Sequence, residues 1–373
     1  LIIPPLARKY WLLRRKSEGV LLNLTNSNWF KSLPRFKLGV NKSPMARLLK
    51  TEKNLGTSSQ IWIKREDLRV PYLTHKSRYI EFMLGEFYEG DYDTIIMSSS
   101  PRSNYSLNLS MVCAELGIRL ILFLPIKKFS LAENQENVDN LLRTNLKTSK
   151  VFGAEIRFAE NIEKEKALCK EKLLMQGRKP FMVSYPAQNL WAYAGMSLCF
   201  DEIVEEFKNH KPLGGGRDLV VLCSVWHSAV GMQIARDFQG LKTRFHHVTP
   251  TPWRDLPLRH LADSYNDWLS KKKSEYLNFI GAEFKYELPN ATKNNLDSNS
   301  ERLKYGIVDS QISESVRKIA KLEGIMLDPI YNGKAMDWLL SDLNSSSHET
   351  ERYIFVHTGG ISNFFDSVSD GEI

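Results

Sequence analysis

IWIKREDLRVPYLTHKSRYIEFML, residues 61–84, is the stretch on which the reading of the fold turns. Ile61, Trp62 and Ile63 predict a strand that runs into four charged residues, Lys64, Arg65, Glu66 and Asp67. A short loop carrying Pro71 follows. His75-Lys76-Ser77-Arg78 then opens a helix, with Tyr79, Ile80, Met83, Leu84 and Phe87 recurring at helical spacing. A lysine in the first turn faces the positive end of the helix dipole, which disfavours its ammonium form. Carbonyl chemistry uses the neutral amine. Taken alone, Lys76 reads first as a solvated lysine after a loop.

Outward from this stretch the chain alternates. Strands are expected at Thr94–Met97, Ile118–Leu124, Ala154–Phe158, Phe181–Val183, Leu219–Cys223, Arg244–Val248 and Tyr353–Val356. Helices are expected from Ser103-Asn104 to Leu116, within Asn134–Leu146, and over Ile162–Met175, Leu190–Phe207, Pro257–Phe279, Ser313–Leu322 and Gly333–Leu343. A further helix starts at about Ala229. Ser43-Pro44 followed by Met45, Leu48 and Leu49 reads as a turn into a short helix, and 287–300 as a polar loop. Strand–helix alternation of this kind builds right-handed βαβ units and mostly parallel sheets. Ligands of such sheets lie at the carboxyl ends of strands. The turns at 98–104, 223–228 and 357–360 fall there.

The 373 residues carry 42% hydrophobic and 25% charged side chains, ordinary for a soluble globular protein. No run of apolar residues is long enough to span a membrane. The four cysteines show no C-x-x-C spacing and read as reduced, buried thiols, with no metal site expected. The net charge of +8 comes from the head of the chain. Residues 1–51 hold eleven Lys/Arg and one acid, and the body holds 40 basic and 42 acidic residues. A nearly neutral body argues against a nucleic-acid surface. The basic head reads as a targeting segment or a surface tail, so the expected compartment is cytoplasmic, or organellar. No strand is followed by G-x-G-x-x-G, which disfavours a dinucleotide site.

Ser103-Asn104 opens a helix after a strand, which suits an ordinary N-cap and equally an anion site. LDPIYNGKAM at 327–336 is a Pro-containing loop entering a helix, and His357-Thr358-Gly359-Gly360 a strand-to-helix turn.

Together these strings resemble a known family. KREDL, a short loop and x-Lys-x-Arg before an apolar helix are similar to the pyridoxal-phosphate (PLP) enzymes of the tryptophan-synthase-β type, PLP fold type II. The 327–336 string, Tyr305-Gly306 and 357–360 resemble the D-cysteine desulfhydrase and 1-aminocyclopropane-1-carboxylate (ACC) deaminase branch. The resemblance covers about residues 34–365. It implies an α/β fold of two doubly wound αβα domains. The expected division is a basic extension at 1–33, a larger PLP-binding domain at 34–76 and 210–373, and a smaller substrate-side domain at 77–209. A homodimer acting on a small amino acid is implied too.

The resemblance also implies roles. Lys76 would hold PLP as an imine and take the Cα proton. Ser103 and Asn104 would bind the substrate carboxylate, with Ser103 counted in the catalytic set. Tyr331 and Tyr305 would carry protons, and Asn332 would face the pyridine nitrogen. The turn with Ser224, Trp226, His227 and Ser228 would meet the phosphate, and Thr358 and Gly359 the ring. The implied reaction is α,β-elimination to a 2-oxo acid, ammonia and a leaving group such as sulfide. A neutral Asn332 fits this better than ACC ring opening.

Three departures stand out. Leu73-Thr74-His75 precedes the lysine instead of Gly-Gly-Asn. Arg102 and Tyr105 replace Gln and His. The phosphate turn, 223–229, has no glycine, and Gly214-Gly215-Gly216 lies before its strand. The first and the last favour an alternative, an inactive homologue acting as a binding protein, and the second bears on substrate recognition.

Overall fold

The computed structural model describes residues 33–39, 42–125, 143–183, 185–208, 211–214, 217–223, 227–248, 296–297, 305–344 and 350–373. The elements in chain order are β1 (Met45–Arg47), α1 (Leu49–Leu55), β2 (Gln60–Arg65), α2 (Lys76–Glu89), β3 (Thr94–Ser98), α3 (Asn104–Leu116), β4 (Arg119–Pro125) and α4 (Thr144–Val151). Next come β5 (Glu155–Ala159), α5 (Ile162–Met175), β6 (Pro180–Met182), α6 (Tyr185–Phe207), β7 (Asp218–Cys223), α7 (His227–Phe238) and β8 (Arg244–Val248). The last are β9 (Leu296–Asp297), α8 (Ser310–Glu323), α9 (Asn332–Asn344), β10 (Arg352–His357) and α10 (Ile361–Ser369).

Two sheets result. The larger has the order β1-β2-β10-β7-β8-β9, and only the β1–β2 pair is antiparallel. The smaller, β5-β4-β3-β6, is wholly parallel. This is the expected α/β class. β7 shows how the sequence builds it. Asp218-Leu-Val-Val-Leu-Cys223 is buried along its whole length, as a parallel strand covered on both faces must be. Val220 and Leu222 join one core with Ile80 and Met83 of α2 and Phe200 and Ile203 of α6. Leu219 and Val221 join another with Val316 and Ile319 of α8 and Leu339 of α9. The period of two along the strand thus assigns each residue to its layer. On the smaller sheet Ile96, Ile121 and Phe123 meet Cys169 and Leu173 of α5.

Several expectations need correction. Met45–Arg47 is a strand, because it pairs with Trp62–Lys64, and the helix starts only at Leu49. Pairing with a neighbour overrides local propensity here. The helix expected within 134–146 lies at 144–151, and 126–142 are outside the described residues. α6 starts at Tyr185, ahead of the expected Leu190. Leu296–Asp297, read as loop, pair with β8. The helix expected at 257–279 lies outside the described residues, as do Gly215 and Gly216. The four cysteines are free and buried. Among the described residues no helix is long and apolar enough to cross a membrane.

Candidate active site

The charges of the KREDL stretch build a buried ionic floor. The Arg78 guanidinium reaches Glu66 at 2.7 and 2.8 Å and Glu202 of α6 at 2.8 and 2.7 Å. Lys64 Nζ donates to Glu202 Oε2 at 2.7 Å and to the Ser43 carbonyl at 2.6 Å. Arg69 donates to Ser77 Oγ at 2.9 Å and lies 3.8 Å from both Glu66 and Glu81. Burial opposes the Glu66 charge, yet Arg78, Arg69 and Lys64 hold its carboxyl far below the usual range. Burial likewise opposes the Arg78 charge, and the carboxylates of Glu66 and Glu202 more than offset it. Each ion is answered, which is the condition for burying it.

Lys76 opens α2 just above this floor and is half-buried. Its amine is pushed down to about 7. The cause is burial, whereas the helix dipole was the cause inferred from sequence. Its Nζ sits 4.6 Å from the centroid of the Tyr79 ring.

The loop before Lys76 is clasped to the end of β10. Thr74 pairs with Gly359 as an isolated antiparallel bridge, and Thr74 Oγ1 donates to the Thr358 carbonyl at 2.8 Å. His75 Nδ1 lies 2.6 Å from that same carbonyl. A carbonyl only accepts, so Nδ1 carries the proton and Nε2, 3.4 Å from Ser228 Oγ, is left as an acceptor. Burial and the Lys76 charge keep His75 neutral. Ser228 Oγ is also 2.6 Å from the Tyr79 hydroxyl. Gly359 is required here, since a Cβ on it would stand 2.4 Å from the Leu73 carbonyl oxygen. Leu73 occupies a position where the resemblance expects glycine, and it still takes a φ of 56°.

Asn332 closes the far side. Its Nδ2 donates to Asp328 Oδ2 at 2.5 Å and to the Gly359 carbonyl at 2.6 Å. Its Oδ1 accepts from the Thr358 amide at 2.9 Å and from Thr358 Oγ1 at 3.2 Å. Both amide hydrogens are therefore taken by protein acceptors. Asp328 also accepts from the Tyr331 amide at 2.8 Å, but burial pushes its carboxyl up to about 6. Tyr331 and Tyr305 meet edge to face with ring centroids 5.9 Å apart. Burial raises both hydroxyls, which are hydrogen-bonded to each other, and Ser100 also bonds Tyr305.

At the end of β3, Ser103 is the N-cap of α3, and its Oγ accepts from the Ser106 amide at 3.1 Å. The Leu107 amide bonds the Ser103 carbonyl. The amides of Asn104 and Tyr105 are left at the helix mouth without an acceptor among the described residues. The Asn104 side chain accepts from Asn145 at 3.0 Å.

Lys76, His75, His227, Ser228, Thr358, Gly359 and Asn332 thus come from four separate stretches of sequence to one place. The charge of Lys76 reaches His227, which burial and that charge push down to about 3. Ser224 and Trp226 lie outside the described residues. Sequence reasoning passed over His75, Arg78, Glu202 and Asp328. Their signal was a charged or polar residue set inside an otherwise apolar helix or beside the PIYNGK string.

A family model for "Pyridoxal-phosphate dependent enzyme" matches residues 36–359. The chain belongs to this family. ACC deaminase of Pseudomonas syringae pv. tomato is 25% identical over 346 residues, 88% of this chain and 94% of the relative. The mitochondrial bifunctional D-cysteine desulfhydrase/ACC deaminase of Arabidopsis thaliana is 25% identical over 329 residues, 84% of this chain and 75% of the relative. A crystal structure of an ACC deaminase homologue superposes with a TM-score of 0.71 at 22% identity, covering 94% of this chain and all of the other. The fold is that of the type II PLP enzymes, and the chain is a PLP-dependent enzyme.

The described residues fit the cofactor. A half-buried amine near neutrality suits an imine link to its aldehyde. The N-terminus of the 12-residue α7, set at the carboxyl end of the central strand β7, suits its phosphate.

Proposed function

We propose that this PLP enzyme is a lyase that catalyses α,β-elimination on a small amino acid. The Lys76 amine carries the reading: half-buried, near neutrality and, among the described residues, with no carboxylate acting on it. PLP, when bound, supplies an electron sink for the carbanion at Cα. Lys76 would hold the cofactor aldehyde, release it to the substrate amine and take the Cα proton. The Asn104 and Tyr105 amides at the mouth of α3, with Ser103 and Asn104 around them, would hold the substrate carboxylate. The Tyr331–Tyr305 pair would bring a proton to the leaving group.

For cysteine, the Cα–H and Cβ–S bonds break and hydrosulfide leaves. The enamine then tautomerises and takes up water to give the 2-oxo acid and ammonia. An Asn332 amide bound to Asp328, Thr358 and Gly359 leaves no ionised group at that residue. This favours elimination over the ring opening of ACC, which would gain from a protonated ring. The family resemblance adds a homodimer, which sedimentation tests.

Borohydride reduction of the PLP-loaded protein followed by peptide mass spectrometry tests the site. A pyridoxyl adduct on Lys76 is expected. An adduct elsewhere, or none, overturns the reading. Sulfide, ammonia and 2-oxo acid measured from D-cysteine, with ACC in parallel, test the reaction. Turnover of ACC alone would replace elimination by ring opening.

A further inference from the structure

Arg102 has no role in the site described so far. It occupies the turn between β3 and α3, beside the substrate amides, at the carboxyl end of a strand where ligands of parallel sheets bind. Its side chain is 12% exposed. Its Nη1 is buried and makes no hydrogen bond among the described residues. Its one ion pair among the described residues is Nη2 to Asp370 at 3.7 Å, and Asp370 is held more closely by Arg143, at 2.5 Å. Two guanidinium groups thus share one carboxylate. The charge of Arg102 also acts on the Tyr305 hydroxyl, which is bonded to Tyr331. A buried charged donor left without an acceptor is costly and calls for an absent partner. The partner that matches it is an oxyanion entering from the side of the tyrosine pair.

We propose that Arg102 selects amino acids that carry a second anionic group, a carboxylate or sulfonate, on the side chain. The α-carboxylate rests on the amides of Asn104 and Tyr105, and the side-chain oxyanion pairs with the Arg102 guanidinium. This assignment of the two ends rests on the lyase reading of the site. It narrows the leaving-group side of the substrate to an acidic class.

Calorimetric titration of the full chain loaded with PLP tests this with anions that lack an amine. Succinate and 3-sulfopropanoate are compared with butanoate. The two dianions are expected to bind roughly tenfold tighter than butanoate, the size of one charge-assisted pair. Their ranking separates carboxylate from sulfonate. Arg102→Gln should abolish the preference, Arg102→Lys should keep part of it, and Asp370→Asn should leave it intact. Equal binding of all three anions to the unaltered protein overturns the proposal without recourse to any variant. So does a preference that survives in Arg102→Gln, or one that Asp370→Asn removes as completely, since that would make the Arg102–Asp370 pair a tie between α10 and the turn. The probes cannot react, so their preference is read apart from turnover. A dianion preference without elimination from any amino acid overturns the lyase reading alone. Elimination without the preference overturns this inference alone.

Discussion

Below Lys76 the buried polar groups are ions: Arg78, Lys64 and Arg69 against Glu66, Glu202 and Glu81. Beside it they are neutral: the His75 imidazole, the Ser228 and Thr358 hydroxyls and the Asn332 amide. The two assemblies touch neighbouring positions of one stretch, His75 and Arg78, and both are out of water. The difference shows how a protein can anchor a reactive amine firmly without neutralising its reactivity. The floor fixes the axis of α2 through Arg78, two residues beyond the lysine. Its charges are consumed by one another, so none pairs with Nζ. The neutral wall then sets the loop before the lysine without offering a carboxylate that would hold the ammonium form.

The most drastic test of this contrast is Lys76→Met. It should remove the pyridoxyl adduct and bring elimination down to background while the melting temperature stays near that of the unaltered chain. A variant that lost the adduct only because it unfolded would show instead that Lys76 belongs to the floor. Next in size is Arg78→Met, which strips the closest cation from both carboxylates and leaves buried Glu66 with Arg69 at 3.8 Å and Glu202 with Lys64. Urea unfolding should show a loss of about 3–5 kcal/mol.

Asp328 comes third, through pH. Its carboxyl is raised from 3.8 to about 6, so the folded state binds more protons than the unfolded one between those values. Its contribution to stability is full below about pH 4 and falls away as pH rises through 6, by about 2–3 kcal/mol. The stability difference between the unaltered chain and Asp328→Asn should slope over that window and flatten above it. A flat difference from pH 4 to 7 would mean that Asp328 is ionised throughout. The smallest effect belongs to the neutral wall. Ser228→Ala removes a hydroxyl bonded to Tyr79 and His75, and should cost about 1 kcal/mol. If it costs as much as Arg78→Met, the ionic and neutral sides do not differ as described.

Most of the fold was legible because continuous apolar runs such as 219–223 can only be strands covered on both faces. The helix boundaries at Gly117 and Gly324 were legible because both glycines are left-handed caps. Met45–Arg47 was not legible, since only its pairing with β2 makes it a strand. The position of Lys76 at a helix head could be read, but the reason for its weakened basicity could not, because burial is a tertiary property. The partners of the KREDL charges were equally hidden, as Glu202 lies 138 residues after Lys64. Ser103 turned out to serve α3 as its cap, the ordinary reading of that residue, while the amides next to it remain available.

The strand that joins β2 to β7 in the larger sheet is β10, which follows both in sequence, and the clasp on Thr74 and His75 comes from the residues just after it. A ribosome-bound chain that has not yet reached Arg352 therefore holds every atom of Lys76 yet has no seat for it. Readiness to take up the cofactor is in this way tied to the synthesis of β10, and a premature stop anywhere upstream of Arg352 yields a protein whose lysine is only a lysine.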